Sequence, residues 1–144
     1  LDDGIAYYQK ALSLFEIKKD KDKLAIVYHQ LALMFYQHEL FEDAIAYCQK
    51  SLEIRENLQD WYKASDSYFL LGKIAQSRQM LEDASIYYQK SFMIFQYFQD
   101  WYKVPLALKS LGDISKTQYL WSDALKFYLQ ALIIDWQNHQ GWVT

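Results

Sequence analysis

The apolar residues of this 144-residue chain fall in steps of three and four. From residue 81 they read Leu81, Ala84, Tyr87, Tyr88, Phe92 and Phe95, and the preceding segment gives Tyr68, Leu71, Gly72 and Ala75. That spacing is the period of an amphipathic α-helix. It predicts seven helices, near 2–18, 22–38, 41–58, 62–78, 81–98, 102–118 and 121–138. At 1.5 Å per residue, each of about 17 residues is roughly 25 Å long. Only four Gly and one Pro are present, too few for the turns of a strand-rich domain.

A shift of forty residues superposes the chain on itself. Residues 41–80 and 81–120 share 16 identities without a gap, including Glu42/Glu82, Asp43/Asp83, Ala44/Ala84, Leu71/Leu111 and Gly72/Gly112. The pentapeptide QDWYK stands at both 59–63 and 99–103. LDDGIAYYQKAL at 1–12 and WSDALKFYLQAL at 121–132 join the same register. A fixed period in the range of 20–50 residues marks a solenoid whose units cannot bury their apolar faces alone. The expected fold is all-α, a right-handed superhelical solenoid of antiparallel helix hairpins. Its expected parts are a half repeat at 1–20, full repeats at 21–60, 61–100 and 101–140, and the start of another at 141–144. The repeated Asp60 and Asp100 suit helix N-caps, and Pro105 lies in a first turn, where proline is tolerated. QDWYK therefore reads as one joint built twice, with Trp61 and Trp101 covering the ends of stacked helices.

The small residues of this pattern resemble the tetratricopeptide repeat family, in its forty-residue subclass, along the entire chain. In the first helix of each pair they are Ala32, Gly72 and Gly112; in the second they are Gly4, Ala44, Ala84 and Ala124, then Ala11, Ser51, Ser91 and Ala131. The sequence departs from the family where Glu56 and Gln96 replace a proline, and where Glu39, Gln79 and Tyr119 replace a turn glycine. The resemblance implies a concave groove lined by the first helices, with partners bound there as extended peptides or helices. Carried over position by position, it gives a partner-binding set of His29, Leu33, Tyr36, Phe69, Lys73, Gln76, Lys109, Asp113 and Lys116. The asparagines, Asn57 and Asn138, stand on second helices, so the carboxylate-clamp and asparagine-ladder modes of the family lack their residues. Lysines beside Phe69 and Tyr36 suit an acidic peptide with aromatic anchors.

Composition adds exclusions. A net charge of −3, with both signs mixed along the chain, gives no basic face for nucleic acid. No apolar run approaches the ~18 residues of a membrane span. Cys48 is the single cysteine, so there is no internal disulfide; it takes the place of a helix tyrosine and reads as a small buried hydrophobe. His29, His38 and His139 share no i, i+3 or i+4 spacing, so no metal site is expected. No phosphate-cradling glycine loop is present, and no cofactor is expected. Acidic pairs such as Glu42-Asp43 and Glu82-Asp83 favour the helix dipole, and Lys18, Lys19, Lys21 and Lys23 form a solvated bend. Polar groups that recur with the repeat are spread out and do not converge, which argues against an enzyme.

The expected function is a scaffold for protein–protein interaction. The alternative is an autoregulatory or sensory segment of a larger bacterial signalling protein that carries an NTPase, kinase or protease module elsewhere. A chain that begins at Leu1 and shows no signal-peptide pattern is expected to be a piece of a longer, cytoplasmic protein. The apolar Leu125, Leu129, Leu132, Ile133 and Trp136 of the last helix point to end-to-end self-association.

Overall fold

Every predicted helix is present in the computed structural model, which describes residues 1–141. The order is α1 (Asp2–Ile17), α2 (Lys21–Gln37), α3 (Phe41–Asn57), α4 (Trp61–Ser77), α5 (Leu81–Tyr97), α6 (Val104–Thr117) and α7 (Trp121–His139). There is no strand among the described residues. The expected beginning of a further repeat at 141–144 lies, beyond Gly141, outside them. The chain divides into two compact units, residues 1–74 and residues 75 onward.

The turns explain the regularity. Lys19, Glu39, Gln59, Gln79, Gln99 and Tyr119 all take positive φ, between 54° and 61°. Each is followed by a residue whose N–H reaches back to a carbonyl five residues earlier, as in Leu40 N to Phe35 O (2.9 Å), Asp60 N to Arg55 O (2.9 Å) and Leu120 N to Ser115 O (2.8 Å). This is the Schellman closure that satisfies orphan carbonyls at a helix end. Glycine normally supplies its left-handed residue; here no turn between helices has one. Two of the turns start the next helix with an aspartate cap: Asp20 Oδ1 accepts from Lys23 N (3.2 Å) and Asp60 Oδ1 from Lys63 N (3.2 Å). Asp100 Oδ1 makes the same contact with Lys103 N (3.0 Å), but there it closes a turn ahead of α6, whose N-cap is Lys103. The other three turns put Leu40, Met80 and Leu120 at the N-cap, and acidic residues in the first turn of α3, α5 and α7 face the helix dipole instead.

The two copies of QDWYK make the same aspartate contact to the lysine N–H three residues on and then diverge, which corrects the expectation of one joint built twice. After Asp60, α4 begins at once with Trp61, which is 46% exposed. After Asp100, residues 101–103 form a turn and α6 starts at Val104. Proline at 105, in place of Ser65, has no N–H to give the Trp101 carbonyl. Asn138 Nδ2 of α7 donates to that carbonyl instead, at 2.7 Å. A part-buried acceptor freed by the proline is thus satisfied within the unit.

In the first unit α1 packs on α2 and α2 on α3; in the second α5 packs on α6 and α6 on α7. The small residues mark the closest approaches: Ala32, Ala44, Ser51, Ala84, Ser91 and Ala131 have no exposed surface. Serine fits among alanines because the Ser51 hydroxyl donates to the Ala25 carbonyl at 2.7 Å. Gly112 has a sharper requirement, since a Cβ there would lie 2.6 Å from the Tyr128 ring.

Relief of left-handed strain is the expected effect of Gln79→Gly. The left-handed conformation costs a non-glycine residue about 1–2 kcal/mol, and the greater unfolded-state freedom of glycine returns about 0.5–1 kcal/mol of that. Urea unfolding of the variant should show a net gain of about 0.5–1 kcal/mol.

Candidate functional site

The predicted partner-binding residues lie on α2, α4 and α6, and each unit holds part of the set. In the first unit His29, Leu33 and Tyr36 are half-buried on α2, and Phe69 and Lys73 on α4. Lys73 Nζ sits 5.4 Å from the centroid of the Tyr36 ring, a cation–π contact. Tyr36 also meets Phe41 of α3, with centroids 6.2 Å apart.

In the second unit Gln76 is half-buried, while Lys109, Asp113 and Lys116 are exposed. Gln76 Oε1 accepts from the Tyr88 hydroxyl at 2.7 Å. Lys109 Nζ is paired with Asp135 Oδ2 of α7 at 2.7 Å. Asp113 accepts from the Tyr128 hydroxyl; burial first, and this carboxylate second, push the Tyr128 phenol up to about 12. Several of the nine residues are therefore engaged with the second helices of the repeats, and the charge of Lys109 is already matched.

His29 belongs to a cluster that sequence reasoning missed. Arg55 of α3 is buried at 6% exposure. Its NH1 donates to Ser67 Oγ (2.8 Å) and to the Lys63 carbonyl (3.0 Å), and lies 3.4 Å from His29 Nδ1. For that last contact to be a hydrogen bond, the His29 proton must sit on Nε2. Arg55 Nε is buried with no hydrogen-bond partner. Burial pulls the guanidinium below its ordinary pKa, opposed by the charge of Asp66 and, more weakly, of Asp60 and Asp22. The signal was in the repeat: Phe15 and Phe95 occupy the position of Arg55 in two other copies, and Asp135 in the last. One helix–helix contact is thus His29 with Arg55 in one repeat and Lys109 with Asp135 two repeats later.

Cys48 is fully buried, and its thiol donates to the Ser67 carbonyl at 3.3 Å. Burial raises its pKa to about 12, with Arg55 opposing. Among the described residues no His, Cys, Asp and Glu side chains gather into a metal-ligand group. No helix among them is long and apolar enough to cross a membrane.

Helical hairpins of fixed period, with small residues at each crossing and side chains displayed on successive helices, define a helical-repeat scaffold. The tetratricopeptide repeat family model matches residues 1–57 and 24–97, and the chain belongs to that family, whose arrays serve protein–protein interaction. Among solved structures it is similar to BtubC (BKLC) from P. vanneervenii, with a TM-score of 0.82 at 21% identity over 93% of this chain and 56% of that one. It therefore spans little more than half the length of BtubC. A looser likeness is to MamA, with a TM-score of 0.47 at 17% identity over 92% of this chain and 87% of that one. No curated protein sequence matches the chain.

Because the thiolate is the reactive form, Cys48 should resist alkylation by iodoacetamide at pH 8.5 in the folded protein and react on unfolding in urea. The raised pKa also sets a pH dependence. The unfolded chain loses this proton first, so the contribution of Cys48 to stability is complete below about pH 8.5 and declines as pH climbs toward 12. Urea midpoints of Cys48→Ala and the parent should therefore converge across that window.

Proposed function

We propose that the chain captures a segment of a partner protein on the faces of its first helices, through His29, Leu33, Tyr36, Phe69 and Lys73 in the first unit and Gln76, Lys109, Asp113 and Lys116 in the second. The observation that carries this reading is Lys73 lying against the Tyr36 ring. A cation held over an aromatic face, with half-buried Phe69 and Leu33 on the same helices, offers charge and apolar contact together. An acidic segment with aromatic anchors suits it. Lys116, exposed on α6, supplies positive charge that Lys109, paired with Asp135, supplies less readily.

Peptide-display panning on the intact chain tests the reading, counter-screened with Lys73→Glu/Lys116→Glu. Acidic, aromatic peptides should be enriched on the parent and lost on the double variant, with binding weakened about tenfold or more, as charge reversal at an interface does. Failure of any peptide to enrich on folded protein would instead favour docking within a longer polypeptide, beside a catalytic module.

Exposed apolar residues on α7 carry a second reading, self-association. Leu125, Leu132 and Trp136 are 58%, 62% and 51% exposed, more apolar surface on one helix than a monomer normally leaves uncovered. Sedimentation should show a mass that rises with concentration and reverts to the monomer in Leu132→Glu/Trp136→Glu. A mass independent of concentration in the parent rules the association out.

A further inference from the structure

The third repeat leaves empty a slot that the earlier repeats fill with tyrosine. In the first, the Tyr28 ring of α2 stacks on Tyr47 of α3, with centroids 6.1 Å apart at 27°. Lys50 Nζ lies 5.5 Å from the same ring, and the phenol feels the charge of Glu16 on α1. Forty residues on, the Tyr68 hydroxyl donates to Glu56, the counterpart of Glu16, at 2.5 Å. Another forty residues on stands Leu108, with Gln96 where Glu16 and Glu56 were and Gln130 in the place of Lys50. Leucine stops short of where the ring and hydroxyl would be. A cavity of about 240 Å³ opens there, with Leu108 in its lining, Phe92, Trp101 and Ile134 around it, and Gln96 and Gln130 at its edges.

The surroundings have changed in the same direction. Met93 and Ile133, at 61% and 55% exposure, stand where the first repeats carry Ser13 and Glu53; exposed Leu129 stands where they carry Gln9 and Gln49. At these positions a polar outer face has become apolar, and one of the three, Ile133, lines the cavity that lost its tyrosine. The proline at 105 contributes too, because it is in the 101–103 turn that Trp101 reaches this cavity.

We propose that this cavity is a docking pocket for one tyrosine side chain of a partner protein, received in the slot that Tyr28 and Tyr68 occupy within the chain itself. Its volume lies under the roughly 300–1,000 Å³ of small-molecule sites and suits a single side chain. Phe92 and Trp101 offer edge-to-face contacts to a ring. Gln96 and Gln130 can accept from or donate to the hydroxyl without the cost of burying a carboxylate. Exposed Ile133 in the lining, with Met93 and Leu129 next in sequence to the lining residues Phe92 and Gln130, gives an apolar setting that keeps water from an inserted anchor, as around interface hot spots. None of these residues belongs to the first-helix set proposed above, so the two surfaces stand or fall separately.

The test titrates N-acetyl-tyrosinamide into the ¹⁵N-labelled chain, beside Leu108→Tyr and Ile133→Glu. Amide shifts are expected around Leu108, Gln130 and Ile133, with N-acetyl-phenylalaninamide about fivefold weaker for want of one hydrogen bond. Leu108→Tyr should abolish the shifts and raise Tm by a few degrees, because it refills a cavity with the side chain its repeat was built around. Ile133→Glu, on the exposed rim, should abolish them with Tm unchanged, which keeps the test decisive if Leu108→Tyr folds poorly. Shifts that survive both substitutions, or that cluster elsewhere, overturn the proposal. A fall in Tm for a folded Leu108→Tyr overturns the tyrosine-shaped slot. Self-association that Leu108→Tyr abolishes would assign the pocket to a tyrosine of a second copy, such as the exposed Tyr7, and so overturn its assignment to a different protein.

Discussion

The structure depends on how its helices stop. Every twenty residues one residue turns left-handed, and the next sends its N–H back to a carbonyl five positions earlier. That closure satisfies carbonyls that would otherwise be orphaned and reverses the chain in about three residues. Helices closed by the same left-handed turn bring equivalent side chains to equivalent places, so the forty-residue period of the sequence becomes a period of contacts. Lys19, Glu39, Gln59, Gln79, Gln99 and Tyr119 take the strained conformation without glycine. The neighbouring helices hold it, since tertiary packing overrides a local preference of a kilocalorie or two.

With the turns set, closeness of approach decides what stands at each crossing. Alanine, serine and glycine recur where backbones meet, and the tolerance is narrow: a single methyl at Gly112 would collide with the Tyr128 ring. Variation is confined to positions with room for it, and those positions carry individual chemistry. One contact is His29 with Arg55 and, eighty residues later, Lys109 with Asp135. One slot holds the Tyr28 ring and, eighty residues later, Leu108 beside a cavity. The repeat sets the background against which such departures become informative.

Much of this was legible beforehand. Helix positions came out within a few residues because three-and-four spacing is a local property, and Asp60 caps α4 as its type and place suggest, whereas Asp100 closes a turn ahead of α6. The start of α6 was less legible. The effect of Pro105 depends on whether another group can satisfy the Trp101 carbonyl, and Asn138, which does so, stands 37 residues downstream. For the same reason the candidate binding residues were named without their partners. Asp135 lies 26 residues from Lys109, and nothing local to either announces the pair.

By itself the sequence determined the helical class, the period, the turn positions and the family, because each rests on residue type and spacing within about twenty residues. The tertiary structure alone decided which side chains are engaged: the burial of Arg55, the matching of Lys109, the different fates of Trp61 and Trp101, and the cavity at Leu108. Those outcomes rest on where two or three helices meet. A side chain's charge, its free volume and its missing hydrogen-bond partner are properties of that meeting and not of the residue.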